Sequence, residues 1–214
     1  MSTITISIIG NGNMARSLGA RAIAGGNTVE IIGRDGARAA ALVKELGRSA
    51  IAGGFGSIPE GDIVIVALPY ESVAPVVRKY GPALRAKVIV DISNPFDPTG
   101  TELVTPAGSS AAQETAKAAP AGAHVVKAFN TLFGHVLAAE RVGDRQLDVF
   151  IAGDDGEAKA LVSSLVESLN LRPLDAGDLK IAHWIEGAGL LMMGSGIRKA
   201  VGHNNFWLGI NPLD

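Results

Sequence analysis

The sequence predicts an α/β protein with a Rossmann-type, doubly wound and mostly parallel sheet. Short runs rich in β-branched residues alternate with helical patterns, several of these runs are apolar throughout, and the first run ends in a glycine turn that opens a helix. Continuously apolar strands are typical of parallel sheets that carry helices on both faces. Because the alternation continues along all 214 residues, we predict a single domain over residues 1–214.

Hydrophobic periodicity and turn residues predict the elements of the first half in order. The predicted strands cover residues 4–10, 28–32, 62–68 and 87–91, with a weaker strand in "SAIAGG", and the predicted helices cover 13–24, 37–46 and 70–80. Proline and glycine residues after Asp91 indicate a loop. Ser109 or Ser110 can cap the helix that follows this loop.

The second half continues the same alternation. "HVVKAF" and residues 147–152 are predicted strands, and "GDDGEAKALVSSLVESL" has a clear helical period behind a cap at Asp154 or Asp155. "LRPLDAG" is a last short strand. We expect Asp178 to cap a terminal helix that runs to about residue 200, so residues 178–214 form a C-terminal helical extension.

The composition excludes several function classes. A net charge of -2 gives no electrostatic basis for binding nucleic acid or an anionic membrane, and the absence of cysteine excludes disulfides and thiolate metal sites. The four histidines lack metal-ligand spacing, so we expect no metal site. We see no signal peptide and no apolar stretch long enough to span a bilayer. We therefore expect a cytoplasmic protein that binds a small molecule.

The glycine turn after the first strand has the pattern of a dinucleotide site. Residues 10–15 read "GNGNMA", which is G-x-G-x-x-A between a strand and a helix. Gly10 permits the tight turn, Gly12 lets backbone amides approach a pyrophosphate, and Ala15 lets the helix pack closely on the strand. A glycine-rich turn with only a structural meaning is the alternative.

The end of the second strand favours NADP over NAD. An acidic residue here would bind the ribose hydroxyl of NAD, whereas the strand ends in Gly33 and Arg34. The Arg34 guanidinium can hold a 2′-phosphate by two hydrogen bonds, and Arg38 lies one helical turn further on. NAD stays a possible nucleotide because of Asp35, since a shifted loop would bring the Asp35 carboxylate to the ribose.

Other strand ends should face the same crevice, since ligands of open α/β sheets bind at the carboxyl ends of the strands. Leu68 and Pro69 can pack on the adenosine side, and Ser93 and Asn94 can reach the nicotinamide side. The sequence has few candidate proton donors, and it has no Tyr-x-x-x-Lys signature. Hydride exchange with a flavin-like ring needs mainly the alignment of two rings. We therefore expect no catalytic side chain.

The chain resembles the NADPH-dependent F420 reductase family over essentially its whole length. The resemblance is carried by the glycine turn with its second strand, by "DIVIVALP", "VIVDISNP" and "VVKAFNT", and by the segment "FIAGDDGEAKALVSSLVESLNLRPLDAGDL". The chain is also similar to the cytosolic oxidoreductase domain of six-transmembrane metalloreductases. These resemblances imply hydride transfer between NADP(H) and either the deazaflavin F420 or a flavin such as FMN or FAD.

The resemblance also implies roles for particular residues. The pyrophosphate would contact Gly10, Asn11, Gly12, Asn13 and Met14, and the 2′-phosphate would contact Arg34 and Arg38. The NADP groove would be lined by Leu68, Pro69, Ser93, Asn94 and Pro95, and the two rings would meet around Ala128, Phe129, Asn130 and Thr131. The pocket of the second ring would be walled by Met192, Met193 and the tail around residues 206–208.

Two alternatives and an oligomeric state remain open at this point. "GNGNMA" also resembles the opening of pyrroline-5-carboxylate reductase, so a reductase of a small imine or carbonyl is one alternative. A non-catalytic NADPH-binding module is the other. We also predict a homodimer, because Gly187, Gly189, Gly194 and Gly196 permit close approach along the terminal helix, although this helix can instead pack on its own sheet.

Overall fold

The computed structural model describes residues 4–139, 146–197, 202 and 205–211. Its strands are β1 (Thr5–Ile9), β2 (Thr28–Ile32), β3 (Ala50–Gly53), β4 (Ile63–Val66), β5 (Val88–Asp91), β6 (His124–Lys127), β7 (Asp148–Gly153) and β8 (Arg172–Gly177). Its helices are α1 (Asn13–Ala24), α2 (Gly36–Leu46), α3 (Tyr70–Tyr80), α4 (Ala111–Ala118), α5 (Gly134–Ala138), α6 (Gly156–Ser168) and α7 (Ala182–Ile197). Short 3₁₀ turns cover Gly81–Leu84 and Leu179–Ile181.

The strands form one sheet in the order β3-β2-β1-β4-β5-β6-β7-β8. Neighbouring strands from β3 to β6 are parallel, β7 runs antiparallel to β6, and β8 is parallel to β7. The predicted Rossmann-type, mostly parallel sheet is therefore confirmed. The strand order reverses between β1 and β4, which places the ligand crevice at the carboxyl ends of these two strands.

Helices cover both faces of the sheet because successive strand residues point to opposite sides. On one face Ile6 and Ile8 of β1 pack with Leu18 of α1 and with apolar residues of α2 and α6. On the other face Ile9 belongs to a cluster that includes Val73 of α3 and residues of α4 and α7. The strands β4 and β5 are buried along their whole length, as their continuous apolar sequences predict.

Two of the predicted helix caps are confirmed, and one is wrong. The Ser110 hydroxyl accepts a hydrogen bond from the Gln113 amide at 3.1 Å, and the Asp155 carboxylate accepts one from the Ala158 amide at 2.8 Å. The Asp178 side chain caps nothing, because the amide of Leu179 donates to Asp154 at 2.8 Å instead. This contact starts a 3₁₀ turn, and α7 begins only at Ala182.

Helix α7 joins two distant parts of the fold. The turn before it is held near the end of β7 by Asp154, whereas Gly189 in its middle lies against Asn94, beyond β5. The predicted end of this helix near residue 200 lies outside the described residues. No helix in the described ranges has the length and apolar composition needed to cross a bilayer.

Candidate functional site

The glycine turn leaves the start of α1 open to a ligand. Gly12 occupies the N-cap position, no side chain caps the helix, and no acidic residue lies in its first turn. The first amides of a helix have no partner within the helix and carry a partial positive charge. This helix start can therefore bind an anionic group.

Gly10 and Gly12 are glycines for different reasons. Gly10 has a φ of +136°, and a Cβ atom there would lie 2.3 Å from the carbonyl oxygen of Ala67. Gly12 has an ordinary extended conformation, and a Cβ atom there would meet nothing within 4 Å. The fold therefore requires glycine at position 10, whereas the small residue at position 12 leaves space in front of the helix.

A first cavity of about 320 Å³ lies beside the turn, at the ends of β1 and β2. Five predicted site residues line it: Gly10, Asn11, Arg34, Arg38 and Leu68. Other lining residues, which were not predicted from the sequence, come from the loop after β3 and from α3: Phe55, Glu71, Ser72, Pro75 and Val76.

The charges at the rim of the first cavity favour an anion. Arg34 and Arg38 are both exposed there. The Asp35 carboxylate accepts hydrogen bonds from the amides of Ala37 and Arg38 at 3.0 and 3.2 Å, and so caps α2. It also lies 3.4 Å from the Arg38 guanidinium. Glu71 of α3 is a second lining carboxylate, so the two guanidinium groups face two carboxylates. Because Asp35 caps α2 and pairs with Arg38, the Arg34 guanidinium is the group that suits a phosphate.

A second cavity of about 230 Å³ lies beyond Met14, on the other side of the turn. Seven predicted residues line it: Met14, Asn94, Phe129, Asn130, Thr131, Met192 and Met193. Its remaining lining residues were not predicted from the sequence: Ile92, Leu132, Phe133, Gly134 and Gly189. The Phe206 ring of the tail contacts Phe133 edge to face, with 5.6 Å between the ring centroids.

The other predicted site residues lie outside both cavities. Gly12 and Asn13 are exposed at the helix start, between the residues that line the two cavities, and Pro69 is exposed in front of α3. Ser93, Pro95 and Ala128 are buried. The Ser93 hydroxyl points inward and donates to Asp91 at 2.7 Å. A role of these buried residues in contacting the cofactor stays a prediction.

A fully buried cation lies beneath the second cavity. The Lys127 ammonium donates to the Ser93 carbonyl at 2.5 Å and lies 2.9 Å from Glu186 and 3.3 Å from Asp91. Glu186 also accepts hydrogen bonds from the amides of Ala111 and Ala112 at 3.0 and 3.3 Å, which caps α4. This buried trio of Asp91, Lys127 and Glu186 thus ties together β5, β6 and α7.

Burial and nearby charges shift the pKa of Asp91, within the trio, and of Tyr70, close to it. Burial raises the pKa of Asp91, but the Lys127 ammonium and hydrogen bonds from Thr115 and Ser93 outweigh it, so the pKa lies below its usual value. Asp91 therefore stays ionised at neutral pH. Burial and then the charges of Glu114, Glu186 and Asp91 raise the pKa of Tyr70. The phenol of Tyr70 therefore stays neutral.

Two carboxamides form a linked pair on the wall of the second cavity. Asn94 Nδ2 donates to the backbone oxygen of Asn130 at 2.9 Å, and Asn130 Nδ2 donates to Asn94 Oδ1 at 3.0 Å. Just before this pair, Phe129 adopts a φ of +60°, which is uncommon for a bulky residue. Such strain is often found at functional sites.

The geometry fits a dinucleotide. The open helix start and the bare Gly12 can receive a pyrophosphate, and the turn leads into a cavity that carries two arginines on one side and a mainly apolar cavity on the other. A dinucleotide such as NADP needs three binding regions in this order. They hold the phosphorylated adenosine, the diphosphate and the flat nicotinamide ring.

Comparison with known proteins agrees with this geometry. Residues 5–95 match the family described as NADP oxidoreductase, coenzyme F420-dependent. This part of the chain is similar to these oxidoreductases. The resemblance predicted from the sequence is confirmed, and NADP(H) is the nucleotide of the family. The matched residues include the glycine turn, Arg34 and Leu68, but they end before β6 and α7.

Two curated relatives match more of the chain. Metalloreductase STEAP3 from Rattus norvegicus is 33% identical over 194 residues, which are 89% of this chain and 37% of that protein. The F420-dependent NADP reductase from Methanocaldococcus jannaschii is 29% identical over 144 residues, which are 65% of this chain and 64% of that protein. The chain thus matches less than two thirds of the length of either relative.

A solved structure matches the whole fold. A candidate F420-dependent NADP reductase from Arthrobacter sp. FB24 superposes with a TM-score of 0.85, covering 98% of this chain and 100% of that one. The sequence identity is 24%, so this likeness shows the fold alone.

Proposed function

We propose that this relative of the NADP oxidoreductases transfers hydride between NADPH and a deazaflavin of the F420 type or a flavin. One observation carries the proposal: a single uncapped helix start joins a cavity that carries two arginines to a mainly apolar one. The family and the relative from Methanocaldococcus jannaschii are both named for F420 and NADP, which supports this choice of partners.

The first cavity would hold the adenosine half of NADPH. Arg34 and Arg38 would contact the 2′-phosphate, and Leu68 and Val76 would pack on the adenine side. The amides at the start of α1 would hold the pyrophosphate, since no side chain occupies them. Asp35 would favour neither nucleotide, because its carboxylate already accepts two amide hydrogen bonds.

The second cavity would orient the reacting rings. Bound NADPH supplies a hydride from its nicotinamide, which a flavin or deazaflavin ring accepts. The chain's own contribution is to hold flat rings and exclude water: Met14, Ile92, Phe133 and Met192 provide apolar walls. Alignment of reactants can by itself supply a large part of a rate enhancement. No proton donor in the cavity is therefore required by the proposal.

A comparison of electron acceptors tests the proposal. NADPH oxidation is followed at steady state with F420, FMN, FAD and 1-pyrroline, a small cyclic imine. We expect oxidation that depends on F420 or on a flavin, and little or none with the imine. Turnover with the imine alone would favour the imine reductase instead. Tight NADPH binding without any acceptor-dependent oxidation would identify a non-catalytic binding module.

Replacing Arg34 with alanine should change nucleotide preference. We expect NADPH binding to weaken by about 1.5–3 kcal/mol, because a charge-assisted hydrogen bond to the 2′-phosphate is lost. NADH binding should change little, since NADH lacks this phosphate. Titration of protein fluorescence or calorimetry with both nucleotides measures the two affinities.

Arg16 offers a matched control for this experiment. It lies on α1 as an exposed arginine paired with Glu45 at 3.0 Å, and it lines neither cavity. Arg16→Ala should leave the preference for NADPH unchanged. Equal losses of NADPH and NADH binding in Arg34→Ala would show that Arg34 acts only as a surface charge.

We also propose that the protein forms a homodimer through α7. Trp184 and Leu191 are 71% and 69% exposed and lie seven residues apart, on one face of the helix. A Cβ atom at Gly187 would meet nothing within 4 Å, so a second chain can approach closely there. Gly189 instead packs within its own chain, because a Cβ atom there would lie 2.9 Å from Asn94 Oδ1. A second copy that covers this face would remove two large apolar side chains from water.

Charges on this face should dissociate the dimer. We expect Trp184→Glu combined with Leu191→Glu to shift the sedimentation mass from that of two chains to that of one. Ile58→Glu is the control, since Ile58 is equally exposed, at 71%, but lies outside α7. A wild-type protein that sediments as a single chain at every concentration would contradict the dimer.

A further inference from the structure

Asn130 carries a buried hydrogen-bond acceptor that the protein does not use. Its side chain lines the second cavity, and the residue is only 6% exposed. Its Oδ1 atom has no hydrogen-bond partner, and it is the one such buried side-chain atom found in the described part of the chain. Buried polar atoms are almost always paired, so this exception calls for an explanation.

The orientation of this carboxamide is fixed by its neighbours. Asn130 Nδ2 donates to Asn94 Oδ1 at 3.0 Å and to the Ile185 carbonyl at 3.1 Å. Asn94 in turn is fixed, because its Nδ2 atom donates to the backbone oxygen of Asn130. Turning the Asn130 amide over would place its oxygen against two other oxygens. The unpaired atom is therefore the carbonyl oxygen.

The backbone also holds Asn130 in this place. Phe129 has a φ of +60° and a fully buried ring, so the chain turns sharply just before Asn130. On the opposite side Gly189 of α7 comes so close that a Cβ atom there would lie 3.1 Å from Asn130 Nδ2. A strained residue and a close helix thus support a side chain whose acceptor has no partner in the described protein.

We propose that Asn130 Oδ1 accepts a hydrogen bond from an N–H group on the ring that enters the second cavity. This inference rests on the proposed function, which brings a flat heterocycle to this cavity. Two rings carry a suitable donor: nicotinamide has a carboxamide NH₂, and flavins and deazaflavins have an imide N–H. Asn130 would fix how the ring is rotated in its own plane. This rotation determines which ring atoms lie opposite the reaction partner.

Pairs of ligands that differ only at this donor test the inference by equilibrium binding. NADP⁺ is compared with its 3-acetylpyridine analogue, in which a methyl group replaces the NH₂ group. Riboflavin is compared with N3-methylriboflavin. We expect about a tenfold loss of affinity in one of the two pairs, because the analogue leaves Asn130 Oδ1 unpaired. The pair that responds identifies the ring that Asn130 contacts.

A variant of Asn130 tests whether the ligand preference comes from this side chain. Asn130→Ala should bind both members of the responding pair with equal affinity, which is the signature of direct coupling. Gln146→Ala is the control, since this exposed carboxamide bonds to Asn170 and lines neither cavity. The control should keep the preference for the ligand with the donor.

The outcomes separate this inference from the proposed function. Equal binding within both pairs by the wild-type protein overturns the inference, even where the ligands themselves bind and the proposed function stands. A preference that Asn130→Ala retains also overturns it, and so does an equal loss of preference in Gln146→Ala. Failure of NADP⁺ itself to bind overturns the proposed function together with the inference. If Asn130→Ala does not fold, the wild-type comparison of ligands still decides.

Discussion

Gly12→Ala should lose NADPH binding by about ten- to a hundredfold while the protein stays folded. The backbone at Gly12 suits any residue, and a new Cβ atom meets nothing within 4 Å. We therefore expect the free energy of unfolding to change by less than about 1 kcal/mol. The methyl group would instead occupy the space in which a pyrophosphate approaches the helix, where overpacking costs about 1–3 kcal/mol.

Two other glycines make this result interpretable. Gly10→Ala should destabilise the protein by about 2 kcal/mol or more, because it combines a positive φ with a contact of 2.3 Å to the Ala67 carbonyl. Gly156→Ala is the neutral control, since Gly156 begins α6 and a Cβ atom there would also meet nothing within 4 Å. Urea unfolding and NADPH titration of all three variants give both quantities. Wild-type affinity in Gly12→Ala would mean that no diphosphate binds at this helix start.

Lys127→Met should lower the free energy of unfolding by about 3–5 kcal/mol. Methionine fills a similar volume but leaves Asp91 and Glu186 fully buried without their common cation. The Ser93 carbonyl would also lose its donor. Removing one member of a buried ion pair is costly, because the remaining charges are no longer compensated. Urea unfolding at neutral pH measures the loss.

An exposed lysine provides the comparison. Lys117 pairs with Glu114 at 2.8 Å, but its side chain is 66% exposed, so Lys117→Met should cost less than about 1 kcal/mol. Adding Glu186→Gln to Lys127→Met should recover part of the loss, since one uncompensated charge is removed. A loss below about 1 kcal/mol for Lys127→Met would show that water or a rearrangement compensates the two carboxylates.

Local sequence signals predicted the strands of the fold and the five site residues that line the first cavity. Strand periodicity predicts each of the eight strands, and the glycine turn with Arg34 and Leu68 follows directly from strand ends. These residues are predictable because a Rossmann sheet brings the carboxyl ends of its strands together. The wrong cap at Asp178 has a non-local cause, since Asp154 takes the Leu179 amide from a distant part of the chain.

The buried trio was not predictable in the same way. Lys127 stands in an apolar strand and Glu186 in an apolar helix, and nothing in either segment indicates that the two side chains meet at 2.9 Å. Likewise Phe55 and Pro75 reach the first cavity only through the packing of α3 against β4 and the loop after β3. A charged residue inside a β-branched run was the one available signal, because such residues are rarely buried without a partner.

The cap that Glu186 gives to α4 has a consequence for measuring ligand binding. The same helix α7 carries Gly189 and Met192 on the wall of the second cavity, and Glu186 accepts from the amides of Ala111 and Ala112. Any outward shift of that wall must lengthen these two hydrogen bonds. The exchange rates of these two amide protons therefore report, from inside the protein, on how far a ligand displaces the wall.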